Sequence, residues 1–127
     1  MKGNFDKSQP IFRQIIDQIL MAIASGELSP GEKVASVREM ALEYKVNPNT
    51  MQKSLAKLEE MGFMYTERTS GRYVTNDTAI IESLKSRLPT RLTEEYIKEM
   101  MECGIPAKDI LNYVDVALPD YIGGQNG

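Results

Sequence analysis

The sequence predicts a mainly α fold with one small β-hairpin, an α+β class. Three observations predict it. Apolar residues recur at helical spacing over most of the 127 residues, and these segments are bounded by capping residues and helix stops. One stretch, 63–75, breaks that period and is rich in aromatic and β-branched residues. The resulting order is helix, helix, short turn, helix, hairpin, then a further helical region.

The elements follow in order. Residues 1–8 are polar, and a frayed start is expected. From Pro10, the residues Ile11, Ile15, Ile19 and Ala22 recur at helical spacing, joined by Phe12, Ile16, Leu20 and Ile23 on one broad apolar face. Ser8 is the expected N-cap, with Pro10 in the first turn and Gly26 as the stop. Glu27-Leu28-Ser29-Pro30-Gly31 reads as a tight turn. Ser36 stands three residues before Glu39, the spacing of a capping box. Val37, Met40, Ala41 and Tyr44 supply the buried side of that second helix. After Lys45-Val46-Asn47, the pair Asn47-Pro48 opens a third helix as cap and first-turn proline. Met51, Leu55, Leu58 and Met61 are its expected buried face, and Gly62 ends it. Phe63-Met64-Tyr65-Thr66-Glu67 and Arg72-Tyr73-Val74-Thr75 form the hairpin around Arg68-Thr69-Ser70-Gly71. Beyond Asp77, Ile80, Ile81, Leu84 and Leu88 share a helical face. Pro89 is expected to break or kink that helix, and Thr93 to cap the next, which carries Tyr96, Ile97, Met100 and Met101. Pro106 opens another with Ile110, Leu111, Val114 and Leu118, and 121–127 are expected to be flexible.

Composition narrows the possible functions. There is no histidine and a single cysteine, Cys103. That removes the commonest general base and metal ligand, excludes an internal disulfide and argues against a zinc or transition-metal site; carboxylates could still bind magnesium or calcium, but no metal site or cofactor is expected. No catalytic constellation, EF-hand loop or glycine-rich phosphate loop is recognisable, so enzymatic activity is not expected. No apolar run approaches the roughly 18 residues of a membrane span. Met1-Lys2-Gly3-Asn4-Phe5 lacks the apolar region of a signal peptide, so a cytoplasmic location is expected. The net charge of −3 is unevenly distributed. Residues 1–77 hold ten Lys+Arg against ten Asp+Glu, and 78–127 hold five against eight, together the 15 and 18 of the whole chain. A neutral module still binds nucleic acid when its cations share one face.

Two short helices joined by a three- to four-residue turn suggest a helix-turn-helix, and a hairpin directly after them suggests the winged form. A helix that enters a DNA groove must present short polar and cationic side chains at its N-terminal end. Here that end reads Asn47-Pro48-Asn49-Thr50-Met51-Gln52-Lys53. Asn49 and Gln52 can pair bidentately with adenine, Thr50 can meet a thymine methyl or a phosphate, and Lys53 can reach guanine or phosphate.

Several separated motifs in this order resemble the GntR family of bacterial regulators. They are Pro10-Ile11-Phe12-Arg13-Gln14-Ile15, Gly26-Glu27-Leu28-Ser29-Pro30-Gly31-Glu32-Lys33, Ser36-Val37-Arg38-Glu39-Met40-Ala41, Val46-Asn47-Pro48-Asn49-Thr50 and Leu58-Glu59-Glu60-Met61-Gly62-Phe63. The short helical tail looks like the YtrA-type subfamily. The resemblance implies a winged helix-turn-helix over 9–76 and a helical dimerisation region over 77–120. It also implies that Arg38 contacts DNA at the start of the second helix and that Asn47-Pro48-Asn49-Thr50 opens the recognition helix. The family's usual arginine is here Lys53, its Leu-Pro-Ser is Val34-Ala35-Ser36, and its wing Gly-x-Gly-Thr-Phe-Val is Thr69-Ser70-Gly71-Arg72-Tyr73-Val74. Arg72 adds a cation that could enter the minor groove or grip phosphate.

The expected DNA-binding set is therefore Ser36, Arg38, Asn47, Asn49, Thr50, Gln52, Lys53, Arg68, Ser70, Gly71 and Arg72. The expected dimerisation set is Ile80, Ile81, Leu84, Leu88, Ile97, Met100, Met101, Ile110, Leu111 and Val114. The expected partners are double-stranded operator DNA, a second copy of the chain and an unidentified small-molecule effector, with no membrane. The regulator is expected to be a repressor on a pseudopalindromic operator, and the YtrA likeness implies control of a transporter operon. Plainer roles stand beside these. Ser36 and Asn47 serve as caps in either case. Arg38 either meets DNA or pairs with Glu39 or Glu43. Asn49, Thr50 and Gln52 either read bases or form a solvated first turn. Lys57 either faces DNA or pairs with Glu60. Arg68 and Arg72 either grip DNA or act as edge charges against aggregation. Cys103 is expected to be a buried apolar residue, and a winged-helix interaction module that does not bind DNA is the alternative to the whole reading.

Overall fold

The computed structural model describes residues 5–6 and 8–123. Parts of the expected frayed start (1–4 and 7) and flexible end (124–127) lie outside them. The elements are α1 (Ile11–Ser25), α2 (Val37–Tyr44), α3 (Pro48–Glu60), β1 (Met64–Glu67), β2 (Gly71–Val74), α4 (Thr78–Glu102), α5 (Ala107–Ala117) and α6 (Pro119–Ile122). The chain divides into two compact units, with the division between Ser86 and Arg87, inside α4.

In the first unit, α3 packs on both α1 and α2, and β1 packs on α3. The amphipathic spacing of α1 puts Ile15, Ile16, Ile19, Leu20, Ala22 and Ile23 into the core. Met51, Leu55 and Leu58 of α3 are fully buried against them, each contributing about 1.5–3 kcal/mol of apolar burial. Ser54 is also buried, and its hydroxyl donates to the Thr50 carbonyl at 2.9 Å, which removes the cost of an unpaired polar group. Met61, expected in this core, is 41% exposed. It follows the last turn of α3 as the C-cap, so the helical period no longer directs it inward.

Local chemistry sets the helix ends. Gly26 closes α1 at φ 87°, a left-handed conformation that costs glycine little. Ser36 and Glu39 form the full capping box: the Ser36 hydroxyl accepts from the Glu39 amide at 3.1 Å, and the Ser36 amide donates to the Glu39 carboxylate at 3.3 Å. Asn47 caps α3 by accepting from the Asn49 amide at 2.7 Å. At the start of α1 the expectation fails. The N-cap is Pro10 without a side-chain bond, while the Ser8 hydroxyl turns back to donate to the Asp6 carboxylate at 2.7 Å. That bond holds the Asp6 carboxyl below its usual range.

β1 and β2 pair antiparallel with Met64 opposite Val74, Tyr65 opposite Tyr73, Thr66 opposite Arg72 and Glu67 opposite Gly71. The free edge of β2 is covered by the segment before α2. The Val34 amide donates to the Arg72 carbonyl at 2.9 Å and the Val74 amide to the Glu32 carbonyl at 2.9 Å, with a bridge between Lys33 and Tyr73.

α4 runs through Pro89 without ending, which corrects the expected break. Proline removes one backbone donor, but Pro89 is exposed, so water can meet the freed carbonyl. Thr93 is not a cap: its hydroxyl donates to the Pro89 carbonyl at 2.8 Å within the same helix. In the second unit, Pro106 precedes α5 as expected, and α6 extends order to Ile122, into the segment expected to be flexible. Cys103 is exposed rather than buried. It lies just past the last residue of α4, beside Gly104, where the helical face no longer dictates burial.

Candidate nucleic-acid interface

The N-terminal end of α2, the first turns of α3 and the hairpin border one open cleft of about 710 Å³. Of the residues singled out from sequence, Ser36, Gln52, Ser70, Gly71 and Arg72 line it. Arg38, Asn49 and Lys53 lie outside that lining, and all three are exposed on the same two helices. Thr50 is half-buried. Asn47 spends its carbonyl oxygen on the α3 cap, and Arg68 is exposed in the turn between the strands.

The local sequence explains this placement. The capping box starts α2 at Val37, so Arg38 falls in its first turn and points to solvent. The Asn47-Pro48 start puts Asn49, Gln52 and Lys53 on the polar side of α3, opposite Met51 and Leu55. The positive dipole ends of both helices favour anions such as phosphate, although at α3 Pro48 has no N–H and the Asn49 amide is taken by the Asn47 cap. The turn between the helices is closed by Lys45 at φ 58°, the one left-handed non-glycine among the described residues.

The hairpin has two distinct faces. Tyr65 and Tyr73 stack on the outer one with centroids 5.6 Å apart. The Tyr73 hydroxyl donates to Ser70 at 2.8 Å and so orients the turn. Met64, Thr66, Arg72 and Val74 share the inner face by strand alternation. Gly71 has φ 124°, and a Cβ there would stand 3.1 Å from Cε of Lys33. The conformation favours glycine, while the flexible Lys33 side chain can shift away from a Cβ. Lys33 is the cation that sequence reasoning missed. It borders the cleft because of the long-range bridge to β2, which no local pattern announces. Arg72 is turned toward α3, with Nη2 3.6 Å from Oε2 of Glu59. Lys57 pairs with Glu60 at 3.5 Å, its plainer role.

Of the expected dimerisation residues, Ile81, Leu84, Leu88 and Ile110 are buried within the single chain, at 4–7% exposure. Ile80 and Met100 are half-buried. Ile97, Met101, Leu111 and Val114 are exposed, as is Leu118 of the same apolar pattern, joined by Tyr113, Val116, Tyr121 and Ile122, which sequence reasoning did not single out. Among the described residues no helix is long and apolar enough to cross a membrane.

The chain is similar to known proteins over most of its length. The profile "Bacterial regulatory proteins, gntR family" matches residues 12–74. The HTH-type transcriptional regulator YhcF of Bacillus subtilis (strain 168) is 39% identical over 111 residues, 87% of this chain and 92% of that protein. The HTH-type transcriptional repressor YtrA of the same organism is 30% identical over 120 residues, 93% of this chain and 92% of that one. A solved GntR family transcriptional regulator from Listeria monocytogenes superposes with a TM-score of 0.77 at 41% identity, covering 89% of this chain and 99% of that one.

Proposed function

The chain belongs to the gntR family of bacterial regulatory proteins, in its YtrA-like branch, and from that premise we propose that it is a homodimeric repressor of a pseudopalindromic operator, acting in the cytoplasm where the chromosome lies. It is a DNA-binding transcriptional regulator and not an enzyme. The observation that carries the finer reading is the cleft shared by the α2 start, the α3 start and the wing. It matches the demands of duplex DNA: short polar groups for base edges, and helix starts and cations for phosphates.

In this reading Asn49, Gln52 and Lys53 face the major groove. Ser36, Arg38, Asn47 and Thr50 hold the backbone, and Arg68, Ser70 and Gly71 bring the wing tip to the adjacent strand. The exposed apolar side chains of α5 and α6 support pairing with a second copy. A row such as Leu111, Val114 and Leu118 is costly to leave in water. A two-fold dimer places two recognition helices one DNA turn apart, about 34–36 Å. The YtrA likeness extends the proposal to a transporter operon as target, with a small molecule as effector.

Fluorescence anisotropy with a duplex from the gene's upstream region, against a scrambled duplex at two salt concentrations, tests the DNA half. Tight binding to the native duplex alone, weakening with salt, is the expected result. Equal binding to both, or none at low salt, overturns it. Light scattering tests the dimer, and a monomeric mass at micromolar concentration refutes it.

A further inference from the structure

We infer that Glu59 and Arg72 form a strut that sets the wing against the recognition helix, so that Arg72 serves DNA binding as a positioning residue and not as a phosphate contact. The inference rests on the DNA-binding reading above.

Strand alternation carries the first part. Arg72 shares the inner face of the hairpin with Val74 and Met64, at 0% and 3% exposure, whereas Tyr73 occupies the outer face with Tyr65. The guanidinium is therefore aimed at α3, where Glu59 stands in the last turn. The two side chains are 17% and 32% exposed. The Lys57–Glu60 and Lys85–Glu82 pairs, by contrast, are at least 45% exposed at both ends. Low exposure makes this pair stronger than an ordinary surface pair, because water screens it less.

The second part follows from charge and access. Glu59 offsets the Arg72 cation locally, which weakens its pull on phosphate. Nε of Arg72 is buried without an acceptor, beyond the reach of a DNA phosphate. Arg72 nevertheless lines the same cleft as Gln52. Glu59 lies seven residues after Gln52 on α3, about 10 Å along the helix axis. The pair thus ties β2 to the far half of the helix whose near half reads bases, and fixes the angle between the two.

The test uses the full chain, the upstream duplex and three proteins: Glu59→Gln, Arg72→Gln and the exchanged pair Glu59→Arg/Arg72→Glu. A strut predicts that both single variants bind about two- to fivefold more weakly, the worth of a partly exposed ion pair, with the salt slope of binding unchanged. The exchanged pair recovers most of the loss. A direct phosphate contact predicts the opposite sign at Glu59: removing a competing carboxylate tightens binding or leaves it alone, while Arg72→Gln lowers the salt slope by about 0.9. That result overturns the inference. Amide hydrogen exchange of Val34 and Val74 without DNA gives a separate readout. Faster exchange in both single variants supports the strut, and unchanged exchange refutes it. Failure of the wild-type chain to bind the duplex sinks the DNA-binding reading instead, and the exchange data still decide whether the strut exists.

Discussion

Ser36 separates a folding role from a binding role in one residue. Its hydroxyl accepts from the Glu39 amide at 3.1 Å and starts α2, and it borders the proposed DNA cleft. Ser36→Ala removes the cap, and loss of such a cap costs about 1 kcal/mol. With a urea slope of about 1–1.5 kcal/mol per molar, the midpoint falls by about 0.7–1 M. Ser36→Asp keeps an acceptor in the same place and adds a charge that favours the helix start, so stability stays within about 0.5 kcal/mol of wild type. DNA affinity behaves differently. A new carboxylate about 6 Å from a phosphate costs about 0.7 kcal/mol at the dielectric of water and about 2.8 kcal/mol at that of a protein surface. The Kd for the upstream duplex therefore rises by between roughly threefold and a hundredfold. Urea melts followed by circular dichroism and anisotropy titrations measure the two quantities. An unshifted midpoint in Ser36→Ala refutes the capping argument. Wild-type affinity in Ser36→Asp refutes the placement of the α2 start beside the DNA backbone.

Three further outcomes are expected. Gln52→Ala leaves the melt unchanged and reduces discrimination between the operator and single-base variants by about 1–3 kcal/mol at one position, measured by competition anisotropy; uniform weakening across all variants contradicts base reading. Leu111→Glu/Val114→Glu yields a monomer by light scattering with an unchanged far-ultraviolet spectrum, since these side chains are 75% and 37% exposed; a dimer that persists rules out this face. Leu55→Ala, at 0% exposure in the α3 core, destabilises by about 2–5 kcal/mol in urea melts, and a loss below 1 kcal/mol argues against tight packing of α3 there.

What was legible in the sequence was local. The Ser36/Glu39 box, the Asn47-Pro48 start and the glycine stops at 26 and 62 each act through chemistry within four residues, and each appears where the pattern put it. The same local logic misled at Pro89 and Thr93. A proline reads as a stop and a threonine as a cap, yet an exposed helix accommodates the first and the second bonds back along the same turn. The contacts that could not be read are long-range. Lys33 meets Tyr73 across 40 positions, and Glu59 meets Arg72 across 13. Neither leaves a periodic trace. The proposed dimerisation set mixes covered and exposed residues for a similar reason. Helical spacing shows which residues are apolar, but not which the chain itself covers, and Leu84 and Leu111 look alike until the fold separates them at 5% and 75% exposure.

The backbone bonds from Glu32 and Val34 to β2 bear on how such a protein diversifies. A two-stranded hairpin usually takes its register from its own turn. Here the register is held from outside by a third backbone segment, which relieves Arg68, Thr69 and Ser70 of that duty. Insertions and substitutions at this tip should therefore leave strand pairing intact and cost little loop-closure entropy. The wing can change length and charge to suit new target sites while the rest of the fold stays as it is.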